Sequence, residues 1–218
     1  MTRKFTGGMS EEIYQHLFDM ILSLEIKPGD RVPEAEIAKR FGVSRTPVRD
    51  ALRDLASEGI LNIYPNRYVE VASYDEQRVR EIGLTKIVLD RFAIKAAAYF
   101  GSRAEYDGLY VYAQNCLDAA KNHDMANRIK ADSDFHYELC RLGKNGTLMK
   151  MEKTMLLQSE FLQAARYLEA DDPDCQYQVH IGVIEALKDG NVEEGLKLIT
   201  EPTIKFYELE NVPPSIYL

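Results

Sequence analysis

From Ser10 the apolar residues Ile13, Leu17, Met20, Ile21 and Leu24 recur every three or four positions, the spacing of one buried helix face. Ser10 suits the N-cap, and Glu11 and Glu12 suit the first turn, where a helix favours negative charge. Lys27-Pro28-Gly29-Asp30 breaks this helix. A shorter one is predicted from about Pro33 to Phe41, burying Ile37, Ala38 and Phe41. It stops at Gly42, because glycine tolerates the left-handed conformation at a helix end. A third helix starts at Ser44 and carries Pro47 in its first turn, where a missing N–H has no helical partner to lose. At about 100° per residue from Arg45, the apolar Ala51, Leu55, Val48 and Leu52 fall between roughly 240° and 340°, whereas Arg45, Thr46, Arg49 and Arg53 fall between 0° and about 100°. One face packs and the adjoining face is basic. After Glu58-Gly59 the period becomes two. Ile60 to Tyr64 and Tyr68 to Ala72 read as short strands joined by Pro65-Asn66-Arg67.

Three helices and a small β-hairpin wing make residues 1–74 a winged helix-turn-helix. Beyond Ser73 to Asp75 the strand pattern ends. Helices are predicted at about 75–100, 102–121, 124–143, 146–169, 174–189 and 191–209, punctuated by Gly101, Gly143, Gly146, Pro173 and Gly190. The fold class is therefore mainly α: a winged helix-turn-helix followed by an all-helical bundle over 75–218.

The net charge of −8 argues at first against a nucleic-acid partner, since phosphate neutralisation needs Lys and Arg. Its distribution matters more. Residues 1–72 hold 10 Lys and Arg against 11 Asp and Glu, and the remaining 17 against 24 lie beyond them. Between Lys39 and Asp54 five basic residues, Lys39, Arg40, Arg45, Arg49 and Arg53, face only Asp50 and Asp54. A local basic patch is what a groove-reading module requires. No apolar run is long enough to span a membrane, and Met1 to Ser10 lacks the apolar core of a signal peptide, so a cytoplasmic protein is expected. Cys116, Cys140 and Cys175 are odd in number and widely spaced, which suits reduced thiols and neither a disulfide framework nor a zinc ribbon.

In a helix-turn-helix the second helix enters the major groove with its N-terminal side chains at base edges. Arg45 and Arg49 lie four apart on that face, and each offers a guanidinium fork to guanine O6 and N7 or to a phosphate. Thr46 can donate to phosphate or touch a thymine methyl. Taken alone, these arginines also fit a solvated face paired with Asp50 and Asp54. The run Phe41-Gly-Val-Ser-Arg-Thr-Pro-Val-Arg-Asp-Ala-Leu-Arg-Asp-Leu-Ala-Ser-Glu-Gly59 resembles the DNA-binding signature of the GntR family of transcription regulators. That resemblance implies base contacts from Arg45 and Arg49, phosphate contacts from Ser44 and Thr46, and a wing tip, Asn66 and Arg67, directed toward the minor groove. Arg53 belongs to the same basic face. The sequence departs from the family pattern at Ala35, where Arg is frequent, and at Tyr68, where Gly is frequent.

Asp132 and His136 are four apart, about 40° from each other around a helix axis, so both can face one point. The segments Ala131-Asp-Ser-Asp-Phe-His136 and His180-Ile-Gly-Val-Ile-Glu-Ala-Leu-Lys-Asp-Gly190, with Asn145 between them, resemble the FCD ligand-binding domain of the FadR subgroup. The resemblance covers about residues 75–209. It implies one Asp and three His around a divalent metal such as zinc, nickel or manganese, with a bound carboxylic acid completing the coordination. Asp132, His136 and His180 match three of those ligands, and the place of the fourth falls on Pro202, which has no donor. Tyr137, Gln163 and Arg166 are candidate effector contacts, and Lys86 and Asp90 a candidate structural pair. The function expected is a DNA-binding transcription regulator, a homodimer on double-stranded operator DNA, modulated by a small-molecule effector such as an organic or sugar acid. The rival readings are a metal-dependent hydrolase, or a helical interaction module, using Asp132, His136 and His180. The sequence offers no phosphate loop, no HExxH and no GxSxG elbow for an enzyme, and none is expected.

Overall fold

The structure is a computed structural model that describes residues 8–166 and 174–217. It divides into two compact units, Met1–Tyr74 with Phe161–Tyr167, and Asp75–Glu160 with Leu168–Leu218. In the first, α1 (Met9–Leu22), α2 (Glu34–Phe41) and α3 (Arg45–Ser57) precede a hairpin of β1 (Leu61–Tyr64) and β2 (Tyr68–Val71). Helix α1 begins two residues earlier than the Ser10 cap would allow. Its N-cap is Gly8, whose carbonyl accepts from Glu11 N–H at 2.9 Å, so Ser10 is already helical and caps nothing. The apolar face of α1, from Ile13 through Leu22, closes on Ile37, Val48, Ala51, Leu52 and Leu55, all buried. Each fully buried Leu, Ile or Val of this set contributes about 1.5–3 kcal/mol relative to exposure.

Two backbone positions shape the reading head. Gly42 has φ +65°, the left-handed turn that lets α3 follow α2 at once, and Val43 N–H closes it on Ala38 carbonyl at 3.0 Å. The wing pairs antiparallel from Leu61 opposite Val71 to Tyr64 opposite Tyr68. Alternation buries Leu61, Val69 and Val71 and leaves Asn62 and Tyr64 in solvent. Asn66 takes φ +58° at the tip, a conformation that asparagine tolerates better than most residues.

The second unit is all helical: α4 (Glu76–Phe100), α5 (Arg103–Asp107), α6 (Tyr110–Lys121), α7 (Met125–Leu142), α8 (Gly146–Ala165), α9 (Cys175–Lys188) and α10 (Val192–Phe206), with a 3₁₀ turn at Pro214–Ile216. From Phe161 onward α8 groups with the first unit, where Phe161 meets Tyr74 edge-on at 5.0 Å. The single helix expected over 102–121 is two helices. A capping box between Ser102 and Glu105 starts α5, and Gly108 N–H bonds Glu105 carbonyl at 3.1 Å before α6 begins. The expected extension of α8 to 169, and Pro173 as punctuation, lie outside the described residues. The bundle core gathers Ile94, Phe135, Leu139, Ile184, Leu196 and Ile199 from α4, α7, α9 and α10. No described helix is long and apolar enough to cross a membrane.

Gly83 shows how tightly this core is set. A β-carbon there would lie 2.4 Å from Tyr207 Cβ and 2.5 Å from its Cγ. Gly83→Ala is therefore expected to destabilise the bundle by about 1–3 kcal/mol through overpacking. Urea unfolding followed by circular dichroism measures this; a wild-type midpoint would refute the packing.

Candidate functional site

On the first unit, Val48, Ala51, Leu52 and Leu55 turn inward and Ser44, Arg45, Thr46, Arg49 and Arg53 turn outward. Ser44 is the N-cap of α3, but its hydroxyl makes no capping bond, so it remains available to an incoming group. Arg45 has no ion pair among the described residues. Arg49 Nε donates to Glu34 Oε2 of α2 at 3.1 Å, Arg53 Nη1 lies 3.5 Å from Asp50, and Arg40 Nη1 lies 3.3 Å from Glu25. Exposed pairs like these add only about 0–1 kcal/mol each to stability. At the wing, Asn66 and Arg67 are exposed, the Tyr64 and Tyr68 rings meet at 4.7 Å, and the Arg31 guanidinium sits 4.2 Å from the Tyr68 ring. Tyr68, where the family pattern has Gly, thus builds an aromatic platform on the wing.

The second site is buried. Asp132 and His136 on α7 and His180 on α9 bring one ligand atom each within 4.8 Å of the others. His180 Nε2 lies 3.2 Å from Asp132 Oδ1 and His136 Nε2 lies 3.7 Å from it. Phe135 stacks on His180 at 3.8 Å and fixes the plane of that ring. His136 Nδ1 is bonded to Asp90 Oδ1 of α4 at 2.8 Å, so Nε2 is the nitrogen turned to the cluster. A carboxylate behind a histidine in this way holds ring and tautomer for metal ligation. Two imidazoles and one carboxylate, with His180 Nδ1 buried and without a hydrogen bond among the described residues, form an N₂O donor set that fits a zinc, nickel or manganese ion.

Charge balance explains the surroundings. Asp90 also faces Lys86 Nζ at 3.0 Å, confirming the pair along α4, although the two atoms are not aligned as a hydrogen bond. Burial alone would raise the Asp132 carboxyl, but the hydrogen bond from His180 and the charge of His136 hold it well below the usual range. Burial would lower His136, and Asp90 more than reverses that; His180 stays low because burial outweighs Asp132. Lys86 is held above its usual range by Asp90 and Glu152 against the effect of burial.

Sequence reasoning missed Glu152, Gln176 and Tyr207. Glu152 on α8 is fully buried 3.9 Å from Lys86, and neither carboxyl oxygen has a hydrogen-bond partner among the described residues. Gln176, one turn before His180, donates to Asp132 Oδ1 and accepts from Arg128 Nε at 3.1 Å. The Tyr207 hydroxyl bonds Ser159 at 2.7 Å, and burial pushes its pKa up to about 12. The i, i+4 spacing of Gln176 and His180 was the one readable signal. Pro202, where the resemblance places the fourth ligand, is exposed on α10 and offers no donor. The α10 position on the Tyr207 face is Thr203, one turn earlier and buried, whose hydroxyl bonds Ile199 carbonyl at 3.0 Å. Tyr137 is half-buried about 100° around α7 from His136, and Gln163 and Arg166 belong to the end of α8 grouped with the first unit.

A family model described as bacterial regulatory proteins, gntR family, matches residues 9–71, and the FCD domain model matches 81–201. The Nta operon transcriptional regulator of Aminobacter aminovorans is 25% identical over 177 residues, 80% of this chain and 81% of that one. An HTH-type transcriptional regulator from an unstable DNA locus of Streptomyces ambofaciens is 30% identical over 187 residues, 83% of this chain and 76% of that one. Among solved structures, E. coli McbR/YncC superposes with a TM-score of 0.78 at 20% identity, covering 94% of this chain and 99% of that one. At that identity the likeness establishes the fold.

Burial, and secondarily the charge of Asp90, push the Glu152 carboxyl up to about 7 from an ordinary value of 4.5. A carboxyl raised on folding gives stability that is complete below about pH 4.5 and is lost as pH rises through 7. Glu152→Gln should remove that decline, so the difference in melting temperature between variant and wild type grows in favour of the variant from pH 5 to about pH 8. A pH-independent difference would refute the assignment.

Proposed function

The chain belongs to the gntR family of bacterial regulatory proteins, in the group that carries an FCD domain, and on that footing we propose how its two units serve a DNA-binding transcription regulator. Regulators of this kind have operator affinity modulated by an effector held in the FCD domain. The finer reading is that the helical unit binds one divalent metal through Asp132, His136 and His180, and that a carboxylic acid effector completes its coordination. The observation that carries it is the buried convergence of those three side chains with Asp90 behind His136. When bound, the ion supplies a Lewis-acid centre for the effector's carboxylate. Asp90 orients His136, Phe135 orients His180, and Gln176 holds Asp132. Tyr137 remains a proposed effector contact.

On the DNA side, Arg45 and Arg49 read base edges in the major groove, Ser44, Thr46 and Arg53 hold phosphates, and Asn66 and Arg67 reach from the wing. One head contacts only a few base pairs, so a homodimer on a pseudo-palindromic operator is proposed. An apolar stripe supports it: Val88, Phe92 and Tyr99 lie within about 40° of one another on α4, with Tyr99 82% exposed.

The metal reading is tested by elemental analysis after growth with added zinc, nickel and manganese, and by melting temperature before and after chelation. Up to one ion per chain is expected, and its removal should lower the melting temperature, because the ion binds only the folded arrangement. His136→Ala should abolish that response, and Asp90→Asn should weaken metal affinity about 10- to 100-fold. Pro202→His should leave it unchanged. A metal-free protein under all three additions would sink the reading.

The dimer is tested by analytical ultracentrifugation of the full chain at micromolar concentration. A dimer is expected for the wild type, and Phe92→Glu should shift it to monomer and weaken binding to operator duplex. A monomeric wild type, with and without DNA, would count decisively against it.

A further inference from the structure

The contact between Arg49 and Glu34 differs from the other ion pairs on α2 and α3. Arg40 and Arg53 meet their carboxylates through Nη1, at the end of the guanidinium. Arg49 meets Glu34 through Nε, on the side of the group. A guanidinium has five N–H donors in a planar fork. With Nε taken, the donors left facing outward are those on Nη1 and Nη2, the pair whose separation matches guanine O6 and N7. Glu34 itself is anchored: it is the first residue of α2, its side chain is 29% exposed against 58% for Arg49, and α2 is fixed to α3 through the buried Ile37 and Ala38.

We propose that Glu34 is a positioning residue for sequence recognition, holding Arg49 side-on so that the end of its guanidinium meets a guanine edge. The proposal rests on the reading of Arg49 as a base contact. Arg45, with no ion pair among the described residues, has no such support. Glu34 also places a negative charge on the phosphate-facing side of the head, where it opposes binding to every sequence equally. The two effects separate in measurement. Positioning raises the ratio of specific to non-specific affinity, whereas repulsion lowers both affinities together.

The experiment uses the full-length protein and a duplex enriched by the wild-type chain from a random pool, with a scrambled duplex as the non-specific reference. Both affinities are titrated over a salt series for wild type, Glu34→Gln, Glu34→Ala and Arg49→Ala. Ordering a long side chain before binding is worth about three- to tenfold in affinity. Glu34→Ala is therefore expected to lower the specificity ratio about three- to tenfold while raising non-specific affinity. Glu34→Gln keeps an oxygen to accept from Nε and should preserve the ratio within about twofold while also raising non-specific affinity. Arg49→Ala should lower the ratio further than Glu34→Ala does. An unchanged or higher ratio in Glu34→Ala overturns the positioning role and leaves Glu34 a competitor for Arg49. An unchanged ratio in Arg49→Ala instead overturns the base-contact reading itself. Melting temperatures of the four proteins keep a folding defect distinct from either result.

Discussion

Ionisable groups taken out of water in one small volume must neutralise one another, and the helical unit is organised by that requirement. Lys86, Asp90, Asp132, His136, Glu152 and His180 are all buried, and an unpaired buried charge costs several kcal/mol. Pairing is therefore a condition of folding. It fixes the rotation of α4, which supplies Lys86 and Asp90, against α7, which supplies Asp132 and His136, and of α9, whose His180 reaches the same point. The apolar residues around them set how closely the helices approach, but the charges set their register.

The same balance governs what can bind. With Asp90 matched to Lys86 and His136, Asp132 is left as the one carboxylate shared by two imidazoles and an amide. The proposed divalent cation would take over the interaction that the imidazole protons now supply, and its affinity would fall as those nitrogens become protonated. A carboxylic acid effector on that cation would then restore neutrality. Glu152 is the group that does not close: fully buried, with no hydrogen bond among the described residues, it is held neutral by burial up to about pH 7. It is the member of the cluster most sensitive to any added charge.

How much of this the sequence displayed depended on whether a feature was local. Asp132 with His136, and Arg45 with Arg49, are visible because helical spacing alone puts each pair on one face. The basic face of α3, the turn at Gly42 and the wing are similarly short-range. Glu152 gave no signal, because its neighbours Met151 and Lys153 are exposed and its burial arises only from helices distant in sequence. Asp90 was readable as a partner of Lys86, but its bond to His136 spans 46 residues of chain. Burial along α10 was not readable at single-residue precision: Pro202 is exposed, and Thr203, about 100° further around the helix, is buried.

The reading head answers a difficulty posed by the chain's charge. A protein of net −8, with a head near neutrality, cannot hold DNA by bulk attraction, and few cations are free to neutralise phosphate. Carboxylates placed among the arginines, Glu34, Asp50 and Asp54, weaken attraction to all duplexes alike, while base-edge contacts retain their value only at matching sequences. Discrimination is a difference of binding free energies, in which the common term cancels, so these carboxylates lower absolute affinity while the base-edge contacts set the ratio. In the proposed homodimer a second head would recover absolute affinity, because two half-sites engaged together bind far more tightly than either alone. On that proposal an effector that changes whether both heads fit at once would act on the larger part of the operator binding energy, without altering a single base contact.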